Sequence, residues 1–574
     1  MLTRLVIQNF KGFVNADIEL GQRVIFIGPN NSGKTSALQA ITLWDVGVKK
    51  WLERRGSASK QKAKRERTGV TINRQDLLAI PIPSAKLLWR ELHVRESLSS
   101  GLERQTQNVR IYIQLEGVHE GKEWRLKMEF DYANEESLYC RPSRESNEEV
   151  EVPPHLRYLT VAYLPPMSGL AAREDRLEMG SIRVRLGEGR TAEVLRNLCW
   201  QVFEKDRQKW SHIRENIEKL FGSKLEDPIY IADRGEVVLH YRNRQGTKLD
   251  ISSAGRGEQQ TLLLLSFMSL YEGAVLLLDE PDAHLEILRQ RQIYDILSQH
   301  AEKTNTQIIA ASHSEVVLNE AAQKDVVIAF VGKPHRIDDR GSQVAKSLKD
   351  IGFEAYYLAE ERGWVLYLEG STDLAILQAL AKRWGHPAFE VLESPFVHYV
   401  ANQPNKVYEH FYALREAKPD LVGVAIYDKL DKELPYKEGL VEFIWKRREI
   451  ENYLCERAAL LRYARDRCEK SYGKDSLFSS EWVKYMEETI AEVEEALKML
   501  GKDPWSPELK ASEEFLVPLF RRFYDRLNMQ NEMEKSNLHL LAYFLEPEEF
   551  DPDIQKALDL IYEVSQKAHP VDRI

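Results

Sequence analysis

The run Val24-Ile-Phe-Ile-Gly-Pro-Asn-Asn-Ser-Gly-Lys-Thr35 constrains this chain more than any other stretch. An apolar strand enters Gly28, four residues intervene, and Gly33, Lys34 and Thr35 follow, the G-x-x-x-x-G-K-T spacing. Successive backbone N–H groups can curl around a phosphate only where glycines at both ends free the turn. Asn31 and Ser32 belong to the same cradle. Lys34 supplies a cation to β- and γ-phosphates, and Thr35 offers a hydroxyl to Mg²⁺. A strand, a phosphate loop and a helix in this order commit the first part of the chain to an α/β sheet.

Residues far downstream supply the partners such a loop needs. Ala274-Val-Leu-Leu-Leu-Asp-Glu280 reads as a buried strand ending in two carboxylates. Asp279 suits the Mg²⁺ shell, and Glu280 suits polarising the water that attacks the γ-phosphate. Pro281–Leu285 follows directly, and Ile308-Ile-Ala-Ala-Ser-His-Ser314 gives a further strand ending in His313. Upstream, Ile251-Ser-Ser-Ala-Gly-Arg-Gly-Glu-Gln-Gln260 opens the apolar helix Thr261–Leu270. A Ser/Gly turn at a helix start is an anion site, because first-turn N–H groups and the helix dipole favour phosphate.

A second constellation lies in the other half. Trp364-Val-Leu-Tyr-Leu-Glu369-Gly-Ser-Thr-Asp373 is an apolar strand ending in a carboxylate and a glycine, and Leu374–Lys382 then reads as a helix. Another buried strand, Leu421–Tyr427, delivers Asp428 at its end. Adjacent strand ends of an open parallel sheet form its ligand crevice, so Glu369 and Asp428 can face one metal. Further on, Glu449 and Glu451 are two residues apart in Arg447–Leu454. If this piece is extended, both carboxylates share a side and Ile450 turns to the core; on a helix they diverge. Mg²⁺ or Mn²⁺ fits an all-carboxylate shell better than zinc does.

The first set of motifs resembles the ABC-type ATPase heads of the SMC, RecF and OLD proteins. The resemblance assigns the phosphate loop to Gly28–Thr35 and a signature to about Ser252–Gln259, including Ser253 and Gly255. It makes Asp279 and Glu280 the acid pair, Pro281–Leu285 the D-loop and His313 the switch histidine. Gln75, in Asn73-Arg-Gln-Asp76, is its candidate Q-loop residue. In such heads the signature serine meets nucleotide held by another subunit, which would make Ser253 act in trans.

The second set resembles a Toprim domain, with one departure. The family spaces its later aspartates i, i+2, whereas this chain reads Asp428-Lys-Leu-Asp431. The second ligand therefore stays open between Asp431, Glu433 and residues further on, and Asp373 counts with the metal residues. Glu449-Ile-Glu-Asn-Tyr-Leu454 resembles the later acidic motif of OLD-type Toprim nucleases, and Met533-Glu-Lys535-Ser-Asn-Leu-His539 resembles their lysine motif. Together the halves resemble the OLD (overcoming lysogenisation defect) nucleases, from Leu5 to beyond His539.

The resemblance implies an ATP-regulated, Mg²⁺- or Mn²⁺-dependent endonuclease acting on double-stranded DNA in bacterial anti-phage defence or DNA processing. It implies a homodimer or higher homo-oligomer joined through the heads, sometimes with an accessory defence protein. The nuclease site reads as a two-metal site with ions on the order of 3.5–4 Å apart. Glu369 and Asp428 would hold the first ion and Glu449 and Glu451 the second, with Lys535 facing charge that builds on the scissile phosphate. A DNA-repair or DNA-organising ATPase with an inactive Toprim domain is the alternative. Topoisomerase-like strand passage needs a nucleophilic tyrosine, and Tyr427 lies within a buried strand. A Toprim primase would need nucleotide-polymerising elements, and none is legible.

With 574 residues the chain should hold two or three domains. The expected architecture is α/β: an ABC-type head over 1–350 built on the phosphate-loop sheet, a linker over 351–362, and a Rossmann-like Toprim domain with added helices over 363–574. The helical period over about 190–225 carries alternating charge on its polar side and is expected as an inserted arm or dimer contact rather than a core helix. No heptad run is long enough for an SMC-like coiled coil. Asn108–Leu115 and Trp124–Tyr132 alternate as a hairpin does.

The net charge of −10 is not that of a generic polyanion binder, so DNA affinity must come from local patches and metal. Lys49–Arg67, with nine Lys/Arg against two Glu, is one such patch or a solvated loop. The four cysteines form no close pair, which argues against a zinc knuckle or a disulfide framework. No leader pattern precedes the first strand and no apolar run is long enough to span a bilayer, so a cytoplasmic protein without membrane partners is expected.

Overall fold

The computed structural model of the chain describes residues 1–55, 69–77, 80, 82–100, 103–143, 152–321, 324–337, 351–430, 434–473 and 478–571. The chain divides into two compact units, Met1–Lys346 with Asp572–Ile574, and Ser347–Val571.

In the first unit the strand Arg23–Ile27 lies inside a mainly parallel sheet. The order is Val161–Leu164, Val275–Asp279, Gln307–Ser312, Arg23–Ile27 and Val326–Ala329, with the antiparallel pair partner His335–Arg336 at the edge. Strands buried on both faces read as unbroken apolar runs, which is why Val275–Leu278 and Ile308–Ala311 show no alternation. The helix Lys34–Arg55 packs in one core with both this sheet and an antiparallel one. Leu38, Ile41 and Trp44 meet Ile113, Leu126 and Phe130 there, each such burial stabilising the fold by about 1.5–3 kcal/mol. Trp44 Nε1 donates to the Leu126 carbonyl at 2.9 Å, so its one polar atom is satisfied.

The antiparallel sheet runs Phe13–Glu19, Leu2–Phe10, Ile111–His119, Lys122–Asn134, Ser137–Pro142 and Val70–Asn73. Its central pair, Ile111–His119 with Lys122–Asn134, is the hairpin expected from alternation.

The segment expected as an arm is instead part of the core. Helices Leu195–Lys205 and Arg207–Phe221 bury Leu195, Leu198, Val202, Ile213, Ile217 and Leu220. Both pack on the helix Arg256–Leu270, which is apolar enough to be covered on all sides. The alternating charges line only the outer face, and the apolar stripe decides where the helices go.

In the second unit four parallel strands run in the order Val397–Tyr399, Trp364–Leu368, Val422–Tyr427 and Leu440–Ile444. The helix Ser371–Trp384 follows the second of these, and helices Arg457–Tyr472, Ser479–Met499, Val517–Arg526 and Pro552–Gln566 are built onto the same core. The expected linker is not a linker. Phe353–Arg362 is a helix whose Phe353, Tyr356 and Ala359 are buried at helical spacing. It stops at Gly363, where φ is +71° and a Cβ would lie 2.8 Å from the His569 and Pro570 backbone, so only glycine fits.

Of the basic run, Lys49–Arg55 closes the helix Lys34–Arg55, and 56–67 lies outside the described residues. Among the described residues no helix is long and apolar enough to cross a membrane.

Candidate functional site

Parallel pairing aligns the C-terminal ends of three strands in the first unit: Ser312 lies opposite Ile27, and Asp279 opposite Ala311. The phosphate loop, the acid pair and His313 therefore emerge along one edge. Within the loop, Asn31 adopts φ +65° and Gly33 +96°. A Cβ on Gly28 would meet the Phe330 carbonyl at 2.9 Å, and one on Gly33 the Phe13 ring at 2.9 Å. Lys34 Nζ donates to the carbonyls of Gly28 and Pro29, both at 2.7 Å, which centres the ammonium in the loop. Burial lowers its pKa, opposed by Glu280, Asp279 and Asp282.

Thr35 Oγ1 donates to Asp279 Oδ1 at 3.1 Å, and the Tyr163 hydroxyl donates to Asp279 Oδ2 at 3.1 Å. Asp279 is 4% exposed; burial raises its pKa while these two hydrogen bonds oppose the rise. The pairing of a hydroxyl with a buried carboxylate is a hard-oxygen donor set that fits Mg²⁺. Glu280 sits at φ +50°, a strained conformation for a non-glycine residue, and its N–H donates to the Ala311 carbonyl at 2.9 Å. His313 Nδ1 is 3.7 Å from Glu280 Oε1. Asp282 accepts from Ser312 Oγ at 2.9 Å, and its other oxygen is buried with no hydrogen-bond partner among the described residues.

The signature candidate is a tight turn, Ile251–Ser253, followed by Gly255 at the start of helix Arg256–Leu270. Ser253 and Gly255 are exposed. A Cβ on Gly257 would lie 3.0 Å from Leu285 Cδ2 and 3.1 Å from the His284 carbonyl, so the helix start and the Pro281–Leu285 turn touch. Gln75 lies in the turn Arg74–Asp76, which Lys50 holds through Asp76 at 2.9 Å; the Gln75 side chain lies outside the described residues.

In the second unit Glu369 and Asp428 stand at the ends of neighbouring parallel strands, where each carboxyl bears on the other. Burial, Glu369, Asp373 and Glu449 push the Asp428 carboxyl up to about 9. Asp373, in the first turn of helix Ser371–Trp384, accepts from Glu369 N at 3.1 Å and Gly370 N at 3.4 Å. Burial and then Glu369 push it to about 6.

The later acidic pair departs from the extended expectation. Only Glu449 has extended backbone, at φ −146° and ψ 168°, and Ile450–Leu454 is a 3₁₀ turn. The Asn452 side chain caps the turn: its oxygen accepts from Glu449 N at 3.1 Å and its nitrogen donates to the Leu509 carbonyl at 2.9 Å. Both carboxylates are nevertheless buried, each 4% exposed, and Ile450 faces the core. Glu449 accepts from Ser512 N at 2.6 Å, at the first residue of a π-helical turn, Ser512–Leu516. Burial and then Glu449 push the Glu451 carboxyl up to about 8.

Lys535 Nζ lies 3.2 Å from Glu513 Oε1, and Lys510 Nζ lies 2.8 Å from the same oxygen. Lys535 lowers the Glu451 pKa, and Glu449 and Glu369 both act on Lys510. Asp431 and Glu433 lie outside the described residues. The oxygen donors suit a hard cation, but among the described residues no three His, Cys, Asp or Glu side chains converge in ligating geometry.

Tyr163, Lys510, Glu513 and Ser512 escaped the sequence reading. Tyr163 stands in a four-residue strand just before Pro165-Pro166, and nothing local ties it to Asp279, 116 residues away. Lys510 and Glu513 are ordinary surface types whose relevance comes only from what they flank.

Residues 1–82 match the family model described as an AAA ATPase domain. Residues 174–319 match the model described as an AAA domain, putative AbiEii toxin, Type IV TA system. The first unit thus carries an ATPase domain of the AAA/ABC type, and both matches lie within it. No curated protein matches the chain. Among solved structures, the SMC head domain from Thermotoga maritima aligns at 17% identity and TM-score 0.30, over 58% of this chain and 98% of that one. An SMC head bound to the C-terminal winged-helix domain of ScpA aligns at 14% and 0.34, over 58% and 97%. A head with an extended coiled coil bound to the C-terminal domain of ScpA, derived from Pyrococcus furiosus, aligns at 13% and 0.33, over 58% and 96%.

Proposed function

We infer that this ATPase is also a metal-dependent DNA endonuclease of the OLD type, its second unit a Toprim domain that hydrolyses phosphodiesters under ATP control. One observation carries the reading. Five carboxyls, Glu369, Asp373, Asp428, Glu449 and Glu451, lie at or beyond the strand ends of a parallel sheet or in the turn Glu449–Leu454, and burial with the charge of their neighbours pushes Asp373, Asp428 and Glu451 up. A fold maintains such mutual repulsion where a cation relieves it.

Thr35 and Asp279 would hold Mg²⁺ in the ATPase; Glu369, Asp428, Glu449 and Glu451, with Asp373 beside them, would hold Mg²⁺ or Mn²⁺ in the nuclease. When bound, such cations neutralise phosphate charge and act as Lewis acids. On the ATPase side Lys34 binds the phosphates, Glu280 orients and deprotonates the attacking water, His313 reads the γ-phosphate and Ser253 meets nucleotide held by a second copy. On the nuclease side Lys535, ion-paired with Glu513, would turn its charge to the scissile phosphate. Double-stranded DNA is the substrate and the active unit a homodimer or larger; bacterial defence is the setting that the resemblance implies.

A second reading, a DNA-organising ATPase whose second unit is catalytically silent, draws on the absence of a ready three-donor cage among the described residues. One experiment separates the two. Supercoiled plasmid is incubated with protein and Mg²⁺ or Mn²⁺, with and without ATP, and the products are resolved on a gel. Nicked or linear DNA, lost in Glu369→Ala and Asp428→Ala, supports the nuclease. Intact plasmid alongside normal ATP turnover supports the silent form. A changed linking number with closed circles would overturn both.

A further inference from the structure

Behind the Ile251–Ser253 turn lies an ionic network, buried at Arg196 and Glu174 and partly exposed at Asp250, that the chemistry above does not use. Arg196, on helix Leu195–Lys205, is 1% exposed and Glu174 2%. A guanidinium taken this far from water is tolerated only if its donors are paired. Nη1 donates to the Ala171 carbonyl at 2.8 Å and to Glu174 Oε1 at 3.4 Å, and Nη2 to Asp250 Oδ1 at 2.8 Å. Glu174 also accepts from Arg196 N at 3.0 Å, and from Asn197 N and Nδ2, both at 3.1 Å, which binds it to the first turn of the same helix.

The network reaches the turn through one atom. Asp250 Oδ1, which takes the guanidinium, also accepts from Ser252 N at 2.9 Å. From the opposite side Gln259 Nε2 donates to the carbonyls of Ile251 at 3.1 Å, Ser252 at 3.4 Å and Ala254 at 3.0 Å. The exposed Ser252 and Ser253 are therefore shaped from beneath. Buried ion pairs add little net stability compared with apolar residues of the same size, but they are directional.

We propose that Arg196 is a positioning residue for ATP hydrolysis: through Asp250 it fixes the Ser252–Ser253 turn in the shape that meets nucleotide. This rests on reading residues 252–259 as the signature. Arg196 does not touch nucleotide. Its contribution is to hold Asp250 on the Ser252 N–H and so keep the Ser253 hydroxyl in place while the partner phosphate arrives, and misplacement on the scale of 1 Å is enough to slow a positioned reaction on the order of 100-fold.

The test uses the full chain with Arg196→Met, Arg196→Lys, Asp250→Asn, Asp250→Ala and Ser253→Arg, measuring melting temperature, affinity for a fluorescent ATP analogue and kcat for hydrolysis. Arg196→Met should bind nucleotide as the wild type does, because Lys34 and Thr35 are untouched, with kcat reduced on the order of 10- to 100-fold. Arg196→Lys should recover part of it. Asp250→Asn, whose amide oxygen still caps Ser252, should retain more activity than Asp250→Ala. A folded Arg196→Met enzyme with wild-type kcat overturns the proposal, and so does a loss of nucleotide affinity in step with kcat, which marks a merely structural role. If Arg196→Met does not fold, the Asp250 pair decides: equal kcat in the two variants overturns it. Wild-type kcat in Ser253→Arg would instead remove the signature reading itself, whereas an impaired Ser253→Arg beside a fully active Arg196→Met removes only the role of Arg196.

Discussion

Glu369 and Asp428 stand at the ends of neighbouring parallel strands, and burial followed by the Glu369 carboxyl pushes Asp428 up to about 9. They come from neighbouring parallel strands, Trp364–Leu368 and Val422–Tyr427, and the pairing of Tyr367 with Ala425 is what sets their side chains within reach.

The raised Asp428 and Glu451 carboxyls make stability depend on pH. The ordinary values are 3.8 for Asp428 and 4.5 for Glu451, and the folded chain raises them to about 9 and about 8. Between these limits the native state holds protons that the unfolded chain has released, so stability is fully present at low pH and falls as pH rises toward 9. Melting temperature in EDTA should therefore decline from pH 5 to pH 9, and Asp428→Asn should flatten the decline. Added Mn²⁺ should restore stability most at the alkaline end. A flat wild-type profile would remove the carboxyl cluster as the source of coupling.

The two activities should separate by mutation. Lys34→Ala should abolish ATP hydrolysis by taking a cation from the phosphates, and Glu280→Gln should bind ATP but stop at the water step. Neither touches the carboxyls of the second unit, so metal-dependent melting shifts should survive in both. Unchanged ATP turnover in either variant would remove its assigned role.

The nuclease reading is most exposed at its later residues. Alanine at Glu449 or Glu451 should eliminate cleavage, and excess Mn²⁺ should partly rescue a weakened ligand. Lys535→Ala should resist that rescue, since metal cannot replace a charge aimed at phosphate. Ile450→Ala should cost stability by about 2–5 kcal/mol through a core cavity, with the chemistry intact. Asp431→Ala should lose activity only in part. Wild-type cutting by the Glu449 and Glu451 variants with a dead Asp431→Ala would move the second metal to the Asp428–Asp431 segment.

Tyr163→Phe tests a residue that only the fold reveals. Removing the hydroxyl leaves Asp279 Oδ2 without its donor, at a stability cost of about 1–3 kcal/mol. More Mg²⁺ should then be needed for half-maximal ATP hydrolysis. An unchanged Mg²⁺ titration would reduce the hydroxyl to a packing role.

The sequence was most legible where chemistry demands contiguous residues. Gly28–Thr35 and Asp279-Glu280 could be read directly, because a phosphate cradle and a strand-end acid pair each occupy one short stretch. The strand ends at Glu369 and Asp428 were legible for the same reason. What stayed hidden depends on distance or on competition between neighbours. The 3₁₀ turn at Ile450–Leu454 is capped by Asn452, whose side chain also reaches the Leu509 carbonyl, a contact 57 residues away. The helix Phe353–Arg362 hid its apolar stripe among charges, and the buried faces of Leu195–Lys205 and Arg207–Phe221 could not be told from an arm until helix Arg256–Leu270 was there to receive them.

The strained backbone of Glu280 donates its N–H to the Ala311 carbonyl, two residues before His313. The residue that would activate water and the residue that would sense the last phosphate are thus pinned to one rung of the sheet. A shift of strand Gln307–Ser312 would reach both residues through this one rung. If they hold the roles proposed above, the water step and the phosphate sensor would share a single mechanical coordinate.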